Sequence, residues 1–385
     1  MRGSVVKKND RYYVVIEDKH PATGKRIRRW HSGFRTKREA QAACNELVVA
    51  AQRGEYLAPS KQTVADFADE WLATIKATIR PSTLDKYRRD IRVNVVPYIG
   101  AVPLTKLDGP MLNRLWITLG ETGKGPRKPH GERSGLSHKS IENVAMVMHR
   151  LLRDAVRWGR LTRNPADMAD PPKRSAERKE LKVWSSTTLR RFLEATENDE
   201  LFPLWFFLAT TGVRRGEALG LRWNDVDFET RRAKVIQTVT AIGWEIHYGQ
   251  PKTNAGRRGL ALDPATIDVL KAHRKRMLEQ RLLVGAGFVD RDLVFCQPDG
   301  EPHHPERVYQ AFKRALKKHG LPDLPIHGLR HTWATLALEA DVHPKIVSER
   351  LGHSKIAITL DMYSQSSPIM HEEAAAKVAR LVCPT

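Results

Sequence analysis

The chain has 385 residues but only three cysteines, Cys44, Cys296 and Cys383, far apart and in no C-x-x-C pair. That spacing excludes a disulfide framework and carries no zinc signature. No apolar run approaches the ~20 residues needed to span a bilayer. The N-terminus also lacks an apolar signal-peptide core. Hydrophobic residues still make up 41%, enough to bury a sizeable core. The expectation is a soluble cytoplasmic protein of two or three domains. Acidic residues are scarce as well: 44 Asp and Glu face 65 Lys and Arg, a net charge of +21. A surplus of that size speaks about partners and not about fold, and its usual partner is a nucleic acid. A membrane surface is the competing partner, but the chain has no basic amphipathic anchor. Fifteen histidines raise the question of metal. The adjacent pair His303-His304 is poorly spaced for ligation on a helix, and neither a metal nor any other cofactor is expected.

Residues 1–58 read as a small α+β module. RYYVVI at 11–16 is rich in strand formers, PATG at 21–24 is turn chemistry, and KRIRRWH at 25–31 reads as a second strand with a basic face. Thr36 and Glu39 resemble a capping box opening a helix to about residue 53. The first 60 residues hold 13 Lys and Arg against 6 Asp and Glu. A ribbon carrying Arg11, Lys25, Arg26, Arg28, Arg29 and Trp30, interleaved with Tyr12 or Tyr13, fits a DNA groove. The plainer alternative is a sheet with a solvated basic face.

Residues 63–165 read as all-helical, with helix starts at Thr63 and Pro81. Ile141, Val144, Ala145, Met148, Leu151, Leu152, Ala155 and Val156 recur at i, i+3, i+4, i+7, a core stripe without chemistry. Lys86, Arg88 and Lys139 are candidate DNA contacts here. The loop 121–136, rich in Gly, Pro, Lys and Arg, either touches phosphates or is simply solvated. Asn164-Pro165 is expected to stop the last helix. Residues 166–182 contain Pro171-Pro172 and no apolar pattern, so they are expected to be an interdomain linker. Residues 183–375 then form a mixed α+β, mainly helical domain, with strands at 232–240, 244–250 and 257–262. Residues 376–385 form a tail.

The chemistry-bearing residues fall in this last domain. TTGVRRGE at 210–217 follows a very apolar helix. Arg214 therefore wants an anion, and Glu217, one helical turn on, can orient it. An internal salt bridge is the plainer alternative. Lys252 sits in QPKTNAGRR, a turn between two strands, where a lysine is ordinarily just solvated. His327 and Arg330 share a helix face in IHGLRH. Gly352 is expected to end a helix and leave His353 at a turn. Tyr363, in TLDMYSQ, read alone is a packing aromatic. Taken in order, two Arg, one Lys, two His and one Tyr suit phosphoryl transfer. Two guanidinium forks hold the non-bridging oxygens of a phosphodiester and stabilise its transition state. The tyrosine attacks phosphorus, a lysine protonates the leaving hydroxyl, and a histidine takes the nucleophile's proton.

The motifs TGVRRGEALGLRW, HGLRH, LGH and the late MY resemble those of the tyrosine recombinase (phage integrase) family, notably integrases of actinobacterial phages and conjugative elements. They cover about residues 205–365. The likeness is weaker before residue 183. There the N-terminal module resembles an arm-binding domain of three strands plus a helix, and 63–165 a helical core-binding domain. The resemblance implies that Arg214 and Arg330 clamp the phosphate and that Lys252 is the general acid. It implies that His327 belongs to the His-x-x-Arg box, that His353 bonds the scissile phosphate and that Glu217 supports the site. Tyr363 would form a 3′-phosphotyrosyl link and free a 5′-hydroxyl. It further implies core and arm attachment sites on double-stranded DNA, a homotetramer, a Holliday junction, and integration or excision of a phage or mobile element. A directionality factor and a host DNA-bending protein would bias the direction. The helix expected at 372–381 would pack on its own domain or on a neighbouring protomer, in a bacterial cytoplasm at the nucleoid. Two other readings compete. A type IB topoisomerase shares the catalytic set but needs no arm module, and a non-catalytic DNA-binding regulator would not need all six residues.

Overall fold

The three-part architecture holds in the computed structural model, which describes residues 2–19, 26–52, 60–123, 135–172, 181–251, 256–353, 355–363 and 379. Strands β1 (Arg2–Lys8), β2 (Arg11–Lys19) and β3 (Arg26–Phe34) form an antiparallel sheet in that order, followed by helix α1 (Lys37–Gln52). Asn9 and Asp10 make the first turn with φ of 47° and 56°, the positive pair that a tight hairpin requires. Thr36 and Glu39 cap α1 reciprocally, each side chain bonding the other's amide at 3.2 Å. Val14 and Ile16 alternate onto Ala40 and Cys44 to form a small core.

The helical part is α2 (Val64–Ile75), α3 (Pro81–Asn94), the short α4 (Val96–Ile99), α5 (Gly109–Thr122) and α6 (His138–Arg157). Thr63 and Asp66 cap α2, and Pro81 opens α3. The α6 stripe is buried from Ile141 to Ala155, against Phe67, Trp71 and Leu112. Trp71 donates its indole N–H to buried Asp154 at 2.8 Å. Two expectations are corrected here. First, α6 stops at Arg157, and the chain reverses at Gly159 with φ 67°. Asn164 instead caps a single 3₁₀ turn, Pro165–Met168, through Ala166 N–H at 3.0 Å. Second, the start of the expected linker is packed. Met168 lies so close over Gly109 that a Cβ there would meet its carbonyl at 2.2 Å, and Asp170 N–H bonds Asn113 at 2.7 Å. Residues 173–180 of that linker and 124–134 of the basic loop lie outside the described residues, as does nearly all of 372–381.

The chain divides into two compact units, Met1–Arg178 and Lys179–Thr385. The second contains α7 (Ser186–Thr196), α8 (Phe202–Thr211), α9 (Arg215–Leu219), β4 (Val226–Asp227), β5 (Arg232–Val235), β6 (Thr238–Ile242), β7 (Glu245–Gly249) and β8 (Arg258–Ala261). Helices α10 (Pro264–Val284), α11 (Pro305–Lys318), α12 (Gly328–Glu339), α13 (Pro344–Leu351) and α14 (Ile356–Tyr363) complete it. Its core is aromatic, with Phe192, Trp205, Phe207 and Phe312 buried together. The strand expected at 232–240 is two strands. β5 joins the sheet β4-β5-β8, whereas β6 pairs with β7 in a separate two-stranded sheet. The break occurs where the chain crosses α9. A Cβ on Gly216 would lie 2.5 Å from Val239 O, and one on Gly220 3.0 Å from Gln237 O. Gly216 on α9 and Gly220 just after it thus let this stretch of backbone lie directly on the helix.

Candidate active site

Helix α8 is apolar on nearly every side and is buried accordingly. It ends at Gly212 in the left-handed conformation, φ 67°. A Cβ there would sit 2.8 Å from the ring of Trp333, so the position accepts only glycine without rearrangement. The Gly212 carbonyl accepts a bond from Arg330 Nη1 at 3.0 Å, and the Leu351 carbonyl accepts from Nη2 at 2.6 Å. Arg330 is 3% exposed. It is thus aimed by two backbone carbonyls, one ending α8 and the other ending α13.

Arg214 follows two residues after Gly212. Its own N–H bonds Glu217 Oε2 at 3.0 Å and its Nη1 bonds Oε1 at 2.7 Å. The Glu217 side chain is 2% exposed and that of Arg214 42%, so the acid is an internal anchor and the guanidinium reaches solvent. Glu217 has a second cation, Arg258, whose Nη2 bonds Oε2 at 2.9 Å. Burial pushes the Glu217 carboxyl up, but Arg258 and then Arg214 outweigh it and hold the group below the ordinary carboxylate range. Glu217 is ionised at neutral pH.

His327 stands at the N-terminus of α12 and meets His331 edge-on, with ring centroids 4.8 Å apart. It is an exposed residue. Partial desolvation, then repulsion from His331, Arg330 and Arg214, pushes its pKa down to about 4 against the pull of Glu217. Gly352 ends α13 in the left-handed conformation, φ 66°, as expected. His353 then turns back so that its Nδ1 lies 2.8 Å from Thr359 Oγ1. Burial, followed by Arg330, Arg214, His331 and Arg258, pushes His353 to about 4 as well. Both imidazoles are therefore neutral at pH 7.

The structure brings Arg214, Glu217, His327, Arg330 and His353 into one cluster. Tyr363 is the last residue of α14, which packs against α13. Lys252 falls outside the described residues, in the connection from β7 to β8. Sequence reasoning missed Arg258, His331 and Thr359. Arg258 stood in the quoted QPKTNAGRR stretch, but nothing local marked it as buried.

The candidate DNA contacts are dispersed. Trp30 is 49% exposed and meets Tyr13 edge-on with centroids 6.0 Å apart. Arg26 and Arg28 both pair with Glu17, Arg28 at 2.8 Å. Arg29 is half-buried and stands opposite Ile16 in the register. Arg11 and Lys86 are exposed, Arg88 is half-buried, and Lys139 pairs with Glu142 at 2.7 Å. Lys25 lies outside the described residues.

Two guanidiniums, one aimed by a buried carboxylate and the other by two backbone carbonyls, with neutral imidazoles beside them and a tyrosine-ended helix, belong to a DNA breaking-and-rejoining enzyme of the tyrosine recombinase class. The chain is a member of the phage integrase family. The phage integrase family model matches residues 185–369, an arm DNA-binding domain matches 4–50, and the N-terminal SAM-like domain of phage integrases matches 63–116. A XerC-like tyrosine recombinase of Caldanaerobacter subterraneus is 28% identical over 387 residues, covering 95% of both chains. An integrase of Streptomyces ambofaciens is 26% identical over 377 residues, covering 95% of this chain and 92% of its own. Among solved structures, the Tn1549 transposon integrase with circular intermediate DNA superposes with a TM-score of 0.66 at 20% identity, over 83% of this chain and 100% of that one. A lambda integrase tetramer bound to a Holliday junction gives 0.55 at 16% identity, over 94% and 96%. These two likenesses are of fold.

Proposed function

We propose that this chain recombines defined attachment sites on double-stranded DNA to integrate or excise a phage or mobile element, with Tyr363 as the nucleophile. The observation that carries the reading is the paired aim of Arg214 and Arg330. Each is held by protein acceptors, in a cluster whose one buried carboxylate among the described residues is already shared with Arg258. Such a concentration of positive charge calls for a bound anion. A phosphodiester there receives both guanidiniums on its non-bridging oxygens, and these stabilise the charge that builds at phosphorus.

Tyr363 Oη forms the bond to phosphorus and the P–O5′ bond breaks. Neutral His327 is suited to take the phenolic proton, and His353 bonds the phosphate. Lys252 gives its proton to the departing 5′ oxygen. The 3′-phosphotyrosine keeps the bond energy, so a 5′-hydroxyl from the partner strand reverses the step and no nucleotide cofactor is consumed. Glu217 supports Arg214. Residues 1–58, with Arg11, Lys25, Arg26, Arg28, Arg29 and Trp30, bind arm-type DNA. Residues 63–165, with Lys86, Arg88 and Lys139, bind the core site, and 183–375 perform the chemistry. Four protomers exchange strands through a Holliday junction in the bacterial cytoplasm, biased by a directionality factor and a host DNA-bending protein.

Covalent capture tests this reading. The full chain is mixed with DNA spanning candidate element junctions, denatured, and the protein-linked DNA sequenced. Mass spectrometry is expected to find the adduct on Tyr363, and Tyr363→Phe to bind the same DNA without forming it. An adduct that survives Tyr363→Phe would refute the assignment, as would no adduct on DNA bound at the core.

A further inference from the structure

Arg258 is given no role of its own in the reaction above, yet its guanidinium is engaged on three sides. Nη2 donates to Glu217 Oε2 at 2.9 Å, Nε to the carbonyl of Arg350 at 2.5 Å, and Nη1 to the carbonyl of Gly256 at 3.2 Å. Its side chain is 7% exposed, so it is not placed to meet DNA in a groove. A buried ion pair is also a weak device for stability, because desolvation offsets most of the attraction and an apolar filler does as well. What a rigid guanidinium fork supplies in place of a filler is direction.

The partners of that fork are informative. Glu217 Oε2 accepts from both Arg258 and the Arg214 backbone, and this fixes the carboxylate plane with Oε1 turned to the Arg214 guanidinium. On its other side Arg258 holds the carbonyl of Arg350. The next carbonyl along, that of Leu351, orients Arg330, and His353 lies two residues beyond. The directions of Arg214 and Arg330 are therefore both referred to one buried cation, within one or two residues on each side. An apolar side chain at 258 would leave the carboxylate free to turn about its last bond.

We propose that Arg258 is a positioning residue, setting Arg214 through Glu217 and Arg330 through the last turn of α13, so that the two guanidiniums are spaced for one phosphate. The proposal rests on the reading that those two arginines bind the scissile phosphate. Lysine at 258 keeps the charge but loses the fork, and a misplacement of about 1 Å at a reacting centre costs on the order of 100-fold in rate.

The test uses full-length protein and a nicked duplex carrying the core site mapped by covalent capture. The scissile group is either the natural phosphate or a neutral methylphosphonate, which has less need of guanidinium charge. Single-turnover cleavage is measured for wild type, Arg214→Ala and Arg258→Lys, with DNA affinity alongside. Arg214→Ala is the control and should lose rate on phosphate but recover much of it on methylphosphonate. Arg258→Lys is expected to follow the same pattern, losing roughly 10- to 100-fold on phosphate with affinity nearly unchanged. Equal loss on both substrates would mark a merely structural residue and overturn the proposal, as would an unchanged rate. If Arg214→Ala itself shows no preference, the phosphate-clamp reading fails and this inference with it. Should Arg258→Lys not fold, Arg258→Gln, neutral but still a donor, is put to the same two substrates under the same criteria.

Discussion

Replacing Glu217 by glutamine tests the electrostatic foundation of the site. The carboxylate accepts three bonds, two from Arg214 at 3.0 and 2.7 Å and one from Arg258 at 2.9 Å. Glutamine keeps one acceptor oxygen and turns an amide N–H₂ towards a guanidinium. The Arg214 side chain is 42% exposed, so water takes over much of that pair and its loss counts for little. Arg258 is buried, and stripping its counter-charge costs about 3 kcal/mol, the lower end for a broken buried pair. By the factor of ten per 1.36 kcal/mol, that is about 100-fold in a local opening equilibrium. Hydrogen exchange of the intact chain, followed by mass spectrometry, reads this element by element. Amides of α9 and β8 are expected to exchange about 100-fold faster in Glu217→Gln, while those of α6, in the other unit, stay unchanged and serve as the internal reference. The pH dependence follows from the sign of the shift. Glu217 is held below its ordinary value of 4.5, so its stabilisation is present above that value and lost as pH falls through the folded-state pKa. The difference between wild type and variant should shrink as the pH is lowered in that range. A difference below about fivefold at pH 7, or one spread equally over α6, would show that the carboxylate is not the buried anchor described.

Two further outcomes follow from the same geometry. Gly212→Ala imposes a left-handed conformation, at about 1–2 kcal/mol, and displaces Trp333, whose ring atoms lie 2.8 Å from the added carbon. A lower melting temperature and a reduced yield of covalent adduct are expected, because the carbonyl of residue 212 aims Arg330; an unaltered melt would contradict the steric argument. Burial, with repulsion from Arg330, Arg214 and His331 and, for His353, Arg258, pushes His327 and His353 to about 4 in the free protein. A bound phosphate counters that repulsion and raises both values. Protons are then taken up on binding, and core-site affinity rises as pH falls from about 7 towards about 5. Calorimetric titration in buffers of different ionisation enthalpy measures the uptake, and zero uptake near pH 5 would refute it.

Local rules made much of the architecture legible. Thr36 with Glu39 and Thr63 with Asp66 announce helix starts because a cap involves neighbours three residues apart. Gly352 announces an end because only glycine adopts its φ at no cost. The stripe on α6 is visible because a helix repeats every 3.6 residues. Misreadings arose wherever a distant segment decided. Asn164 looked like a helix stop but caps a separate turn, since α6 had already ended near Gly159. The strand at 232–240 looked continuous because its β-formers are, yet it breaks where Gly216 and Gly220 bring α9 against its backbone.

For the site, residue types and order already carried the chemistry. Two arginines, a lysine, two histidines and a tyrosine in sequence suit a phosphodiester reaction, because each type has a fixed capacity to donate, accept or attack. Glu217 was legible as a partner of Arg214 because the two are one helical turn apart. Its second partner, Arg258, lies 41 residues on and was not. Nor was the anchoring of Arg330 on the carbonyls of Gly212 and Leu351, at sequence separations of 118 and 21. Which groups react follows from chemical type, a property of single residues. Where they point follows from contacts across long loops, and only the folded chain makes those.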